Sequence, residues 1–210
     1  MKVYYFDLYG RAEPIRLLLT HAKAEFEDVR LTGESWQEFK ADSEKCKYGQ
    51  VPVFEKDGKF YPQGGAILRY LGGVHGYYPE DVEARFTVDE ITNLLDSDFL
   101  PKIGETIFYS KSDEERKEGF AKLVEEHYPK FFGFLEKQLT SNSSQEFMVG
   151  DSYTIADFVA IAAYISHVQH PHRKDQIEPL LDTTPTLKAY FDTRAADFKD
   201  YINNLPECSI

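Results

Sequence analysis

The stretch VPVFEKDGKFYPQGGAILRYLGGV, Val51 to Val74, decides the fold. Val51 to Glu55 and Phe60-Tyr61 are short β-branched and aromatic runs on either side of Lys56-Asp57-Gly58-Lys59. Asp-Gly there supplies the positive φ angles that a tight hairpin turn needs. Gly64 to Val74 follows as a helix, with Ile67, Leu68 and Leu71 on one face. The segment therefore reads as ββα.

Upstream, residues 2–6 read as a strand and Glu13 to Lys23 as a helix, with Pro14 in its first turn, where a missing N–H does no harm. Phe26 to Leu31 reads as a second strand, and Trp36 to about Cys46 as irregular and partly helical. The order βαβ then ββα within residues 1–74 is that of a thioredoxin-like α/β domain. Downstream, residues 75–81 read as a linker and residues 82–210 as an all-α domain, because helical period replaces β-branched alternation. Val82 to Tyr109 forms one long helix with a kink expected at Pro101. Asp113 to Leu139 forms another, interrupted near Pro129. Thr154-Ile155-Ala156-Asp157 is a capping box opening the most apolar helix, Phe158 to Ile165. Thr186 to Ala195 and Phe198 to Ile202 close the bundle.

The chain has 210 residues and a net charge of −12, 42% hydrophobic. That acidity argues against nucleic acid and anionic membrane surfaces as partners, since both demand clustered Lys and Arg. No apolar run approaches the roughly 20 residues of a membrane span, and Met1-Lys2-Val3 leads straight into a strand, so the expected location is the cytoplasm. The two cysteines, Cys46 and Cys208, form no CxxC and support neither a disulfide framework nor a zinc site. His167, His170 and His172 surround Pro171 without acidic ligand spacing, so they read as an exposed, helix-ending turn and no metal is expected.

Three segments of the first domain carry the chemistry. Tyr5 ends a strand, and Arg11 stands at the mouth of a helix, where the dipole disfavours a cation and a partner is therefore expected. Val51-Pro52 opens a strand, where a cis peptide would turn the backbone of residue 51 outward to pair with an extended peptide. Gln63-Gly64-Gly65 opens a helix whose free N–H groups suit a carboxylate. Trp36 offers a flat wall and Lys40 a positive charge at the other end.

With these motifs the whole chain resembles the cytosolic glutathione transferases of tyrosine type. Tyr5-Phe6 with Gly10-Arg11 resembles the family's N-terminus. Tyr48-Gly49-Gln50-Val51-Pro52 and Gln63 through Leu71 match its glutathione-binding segments, and Val149-Gly150-Asp151 with Thr154 and Asp157 matches its capping motif. Trp36-Gln37-Glu38 and Cys46 to Gln50 look most like the pi class, with sigma and mu as neighbours.

The resemblance implies conjugation of glutathione thiolate to apolar electrophiles, a detoxifying activity. Glutathione would be a co-substrate, with no tightly bound cofactor. Tyr5 would donate to the sulfur, aided by Arg11. Lowering a thiol from about 8.5 by roughly two units takes about 2.7 kcal/mol of thiolate stabilisation. One charge-assisted hydrogen bond supplies roughly 1.5 to 3 kcal/mol of it. Trp36 and Lys40 would hold the glycyl carboxylate, Gln50, Val51 and Pro52 the cysteinyl part, and Gln63 and Gly64 the γ-glutamyl end. An aspartate from a partner subunit would join that end; counting places it at Ser97 or Asp98, and Asp98 is taken. The electrophile would lie over Phe6 and Leu8 against Phe108 and Tyr109. Cys46 aligns with the pi-class reactive cysteine, whose pKa Lys45 and Lys47 would depress if it is exposed; an unremarkable surface thiol is the other reading. Tyr48 would be an aromatic key between the subunits of a homodimer.

Gly64 departs from the family, which has serine there. The lost hydroxyl implies glutathione binding weaker by about 1 kcal/mol. It also keeps open an alternative, a glutathione-binding ligand carrier or structural relative with little transferase activity.

Overall fold

In the computed structural model, residues 1–206 are described; the C-terminal residues 207–210, including Cys208, lie outside the described residues. Strand β1 (Lys2–Phe6) leads through a 3-10 turn (Gly10–Ala12) into α1 (Glu13–His21). Then come β2 (Glu27–Leu31), α2 (Gly33–Ala41), β3 (Val53–Lys56), β4 (Lys59–Pro62) and α3 (Gly64–His75). The sheet order is β2-β1-β3-β4, with β1 and β2 parallel and the other pairings antiparallel. Asp57 and Gly58, at φ 53° and 74°, make the hairpin turn that the sequence requires.

The sheet buries both faces, as strand periodicity demands. Val3 and Tyr5 of β1 join Ile15, Leu18 and Leu19 of α1 and Leu68 of α3 in the main core. Tyr4 points the other way and stacks on Phe39 of α2, with ring centroids 4.6 Å apart. The helix α2 is a correction: residues 33–41 are regular where an irregular stretch was expected. Its start is fixed by reciprocal bonds between Thr32 and Ser35, the Thr32 N–H donating to the Ser35 hydroxyl at 2.9 Å.

The helical part comprises α4 (Val82–Asn93), α5 (Leu100–Phe108), α6 (Asp113–Lys122), α7 (Tyr128–Ser141), α8 (Ile155–Ala163), α9 (Lys174–Ile177), α10 (Pro185–Asp197) and α11 (Lys199–Asn203). Wide π-helical turns at Leu94–Phe99, Leu123–His127 and Tyr164–Val168 stand just ahead of Pro101, Pro129 and Pro171. Proline offers no N–H to the carbonyl four residues back and its ring crowds that carbonyl, so the helix widens before it. The two long helices expected from the sequence are thus α4 with α5, and α6 with α7.

The two parts are tied at their junction. The Arg69 guanidinium of α3 pairs with Asp89 of α4 at 2.8 Å, and the Tyr78 hydroxyl donates to the same carboxylate at 3.0 Å. Helix α8, buried from Ile155 to Ala162, packs against α1. Its capping carboxylate, Asp157, accepts from the N–H groups of Met148 and Thr154, each at 2.8 Å, and from the hydroxyls of Thr154 and Tyr190, each at 2.9 Å. No helix among the described residues is long and apolar enough to cross a membrane.

Candidate active site

Tyr5 is the last inward-facing residue of β1, 7% exposed. Its hydroxyl oxygen accepts the backbone N–H of Arg11 at 3.2 Å, which leaves its own proton for a ligand. Burial pushes the phenol above its ordinary value, so it stays a neutral donor at physiological pH. The loop that returns toward Tyr5 passes so close at Gly10 that a Cβ would lie 2.7 Å from the Tyr5 hydroxyl, and Gly10 itself has φ +45°. Glycine is therefore required there on two counts.

Buried charge holds this loop. Arg16, 1% exposed, donates from Nη1 to the carbonyls of Leu8 at 2.9 Å and Tyr9 at 3.1 Å, and to Glu13 at 3.0 Å. Its Nε donates to Asp28 at 2.9 Å, and Glu13 in turn accepts the Tyr201 hydroxyl at 2.7 Å. The sequence reading missed this network. Its only signal was an arginine inside an apolar helix face, Pro14 to Leu19.

Arg11 has the partner that its place in the helix called for. Its Nη1 donates to Asp96 Oδ1 at 2.5 Å, and Nη2 donates to the Asp96 backbone carbonyl at 3.2 Å. The wide turn after α4 carries Asp96 into the cleft. Asp98, chosen for the γ-glutamyl end, is exposed and lies outside the cleft, in a groove with Phe86, Leu94 and Phe134.

Two cavities meet at Arg11, which lines both. One, of about 420 Å³, is bounded by Phe6, Trp36, Tyr48, Gln50, Val51, Pro52, Gln63, Gly64 and Asp96. Here the Val51–Pro52 peptide is cis, and Gln63 sits at φ 74°, a conformation rare outside glycine and found where function holds the backbone. The helix α3 begins at Gly64, so its free N–H groups face this groove. The other cavity, of about 380 Å³, is bounded by Tyr5, Leu8, Ile103, Ile107, Phe108 and Tyr109, with Ser166, His167 and Arg173.

The structure redistributes several expected residues. Phe6 lines the first cavity instead of the second, its ring edge-on to Trp36 at 5.0 Å. Leu8, Phe108 and Tyr109 do line the second. Lys40 is exposed and rests over the Trp36 ring at 5.7 Å, without lining either cavity. Cys46 is 3% exposed, its thiol donating to the Gln50 carbonyl at 3.5 Å, and burial pushes it up, opposite to the expected depression. Its neighbours are engaged elsewhere: Lys45 pairs with Asp42 at 2.9 Å, and Lys47 lies over the Tyr48 ring.

The histidine cluster is also corrected, for His167 is 7% and His170 1% exposed, buried where an exposed turn was expected. No group of residues that could hold a metal occurs among the described residues. Burial, with Arg173, His170 and His127 nearby, pulls His167 down to about 3. Folded, it is neutral, whereas the unfolded chain takes up a proton below the ordinary 6.5. The stability it contributes is therefore whole above 6.5 and is lost as pH falls toward 3. Urea midpoints followed from pH 7 to 4 will fall less steeply in His167→Gln than in the native chain; parallel slopes would contradict this.

Comparison with known proteins agrees with this geometry. Residues 1–73 match the glutathione S-transferase N-terminal domain, and residues 97–203 match the glutathione S-transferase C-terminal domain. Glutathione S-transferase 2 of Manduca sexta is 32% identical over 90% of this chain and 94% of its own length. Glutathione S-transferase P of Caenorhabditis elegans is 30% identical over 93% and 94%. The crystal structure of monomeric Na-GST-3, a glutathione S-transferase of the hookworm Necator americanus, superposes with a TM-score of 0.83 at 27% identity, covering 100% of this chain and 98% of that one. The chain belongs to the glutathione S-transferase family.

Proposed function

We propose that this chain conjugates glutathione to apolar electrophiles, with glutathione as co-substrate. The observation that carries the reading is the buried Tyr5 hydroxyl at the meeting of the two cavities, its oxygen already engaged by the Arg11 amide. Tyr5 donates to the sulfur and favours the thiolate, whose proton passes to water. The thiolate then attacks the electrophilic carbon, forming the S–C bond as the leaving group departs with its electron pair. Arg11, held by Asp96, adds positive charge on the sulfur side.

The rest of the tripeptide follows the first cavity. Trp36 walls the glycyl end, with Lys40 beside it. Gln50 and the Val51 backbone before cis Pro52 pair with the cysteinyl part, and Gln63 with the α3 N-terminus at Gly64 takes the γ-glutamyl carboxylate. The electrophile lies against Leu8, Phe108 and Tyr109. The direct test is turnover of a chloronitroaromatic with glutathione. Retention on glutathione resin without turnover above background would favour the ligand-carrier alternative.

A hydroxyl at position 64 improves this site. A Cβ on Gly64 would meet Pro52 at 3.4 Å, an ordinary contact, so serine fits. Gly64→Ser is expected to lower the KM for glutathione about fivefold, the value of one neutral hydrogen bond. An unchanged KM would mean that the carboxylate is held elsewhere.

The assembly proposed is a homodimer. Tyr48, 54% exposed, is the aromatic key; the groove bearing Phe86, 66% exposed, and Phe134, 41% exposed, is a face suited to receive it. Asp98 lies on that groove, from which it would approach the partner's γ-glutamyl site. Tyr48→Ala is expected to shift sedimentation toward the monomer at micromolar concentration; a native chain that sediments as a monomer would remove the proposal. Detoxification and a cytosolic location, where glutathione is abundant and a free thiol such as Cys46 persists, complete the reading.

A further inference from the structure

The segment Leu8 to Glu13 brings the Arg11 amide onto the Tyr5 hydroxyl and passes the phenol closely at Gly10. It is held from two directions. From α1, Arg16 Nη1 donates to the carbonyls of Leu8 and Tyr9 and to Glu13 Oε2. From the C-terminal end, the Tyr201 hydroxyl of α11 donates to Glu13 Oε1 at 2.7 Å, and the Tyr9 hydroxyl donates to the Pro206 carbonyl at 2.8 Å. These two bonds join residues 188 and 197 positions apart, and neither cavity is lined by Tyr201, Glu13 or Arg16.

Arg16 Nη1 has two protons to share among three acceptors. The buried carboxylate is the strongest of them and competes with the two neutral carbonyls for those protons. Burial pushes the Glu13 carboxyl up, while the Arg16 charge and the Tyr201 hydroxyl pull it back. Without that hydroxyl, the carboxylate would take more from Arg16 and leave less for the loop. The guanidinium keeps its orientation toward the loop even though its Nη2 is buried with no hydrogen-bond partner among the described residues. Buried donors are almost always satisfied, so the orientation is set by what Nη1 and Nε hold.

The consequence reaches the sulfur. An N–H donated to the Tyr5 oxygen polarises its O–H toward a ligand, because bonds in a chain strengthen one another. The charges that face the phenol are Arg11, Arg16 and Asp96, each on this segment or bonded to it. A displaced loop weakens the donor at the point where the thiolate needs it.

We propose that the C-terminal segment from α11 to Pro206 is a clamp on Leu8 to Glu13, and that Tyr201, remote from both cavities, is a positioning residue for the Tyr5 hydroxyl. The proposal rests on the reading of Tyr5 as the donor to the sulfur.

The test uses Tyr201→Phe and Tyr9→Phe, singly and together, in the full chain. The readouts are the ultraviolet absorbance of bound glutathione thiolate against pH, and kcat and KM with the chloronitroaromatic. Tyr201→Phe is expected to raise the apparent pKa of the bound thiol by about half a unit. The rate on the acid side then falls about threefold and recovers at alkaline pH, with the KM for glutathione within about twofold. The double variant should exceed either single one. Asp157→Asn, which weakens the chain elsewhere, is the control for stability; well below its transition it should leave the thiol where the native chain has it. An equal shift in Asp157→Asn overturns the proposal. A lowered native pKa that Tyr201→Phe does not move overturns the clamp alone and leaves the Tyr5 reading standing. A native chain whose bound thiol titrates at the ordinary value of about 8.5 overturns both.

Discussion

Replacing Tyr5 by phenylalanine is expected to lower turnover of a chloronitroaromatic at neutral pH by about 10- to 100-fold, as loss of roughly 1.5 to 3 kcal/mol of thiolate stabilisation requires. The substitution removes one hydroxyl from a packed ring and leaves the α1 and α3 contacts of Tyr5 intact. The KM for glutathione should stay within about twofold, because in the proposed site the peptide is held along Trp36, Val51 and Gln63 and not at the sulfur. The distinguishing measurement is the pH profile of the rate. The apparent pKa of the bound thiol should rise by about one to two units, so that activity recovers toward alkaline pH. Full activity of Tyr5→Phe at neutral pH would refute the mechanism while leaving the family assignment untouched. The Arg11 amide could replace part of the lost bond, since it points at the same place; the expected loss is accordingly bounded.

The second large effect is on stability. Asp157→Ala removes a fully buried carboxylate that accepts from two backbone N–H groups and two hydroxyls. Each orphaned donor costs on the order of 1 to 3 kcal/mol where water does not reach it, and breaking such a network typically costs about 3 to 5 kcal/mol in sum. For a chain of this size that lowers Tm by on the order of 10 °C. Because α8 packs on α1, which carries Arg16, the loosened chain should lose glutathione affinity as it nears its transition. Asp157→Asn keeps one carbonyl acceptor and should lose roughly half as much. Thermal melts of the two variants decide the matter: equal stability to the native chain would mean that the capping bonds are replaced by water.

The first fold half was legible because its signals are local. Asp57-Gly58 demanded a turn, Pro14 suited a helix start, and residues 2–6 read as a strand. The helix α2 was less legible, since its apolar stripe is thin and its start depends on Thr32 and Ser35, a box lacking the usual acid. The interruptions at Pro101 and Pro129 were legible within two long helices but not as wide π-helical turns, because proline says where a regular bond fails and not how the chain recovers.

At the site the same division holds. Motif spacing was enough to nominate Tyr5, Arg11, Trp36, Val51, Pro52, Gln63 and Gly64, and the structure gathers them along one edge. Motif spacing did not show that Phe6 lines the first cavity, that Cys46 is buried with its thiol raised, or that Lys40 stands over Trp36. Each of those depends on which side of an element a residue faces and what the opposite element supplies. Arg16 with Glu13, Asp28 and Tyr201 is the clearest case, for Tyr201 lies 188 residues from Glu13.

By itself, the sequence determined the thioredoxin-like domain, the helical domain and the capping box at Thr154 and Asp157, and it nominated Tyr5 for the sulfur. Backbone propensity, turn chemistry and short motifs act over a few residues and are written in order. Tertiary structure alone decided that Asp96 holds Arg11, that Asp98 turns outward, and that Glu13, Arg16, Asp28 and Tyr201 meet in one network. Burial and charge pairing there are set by segments far apart in the chain, and only packing brings them within bonding distance.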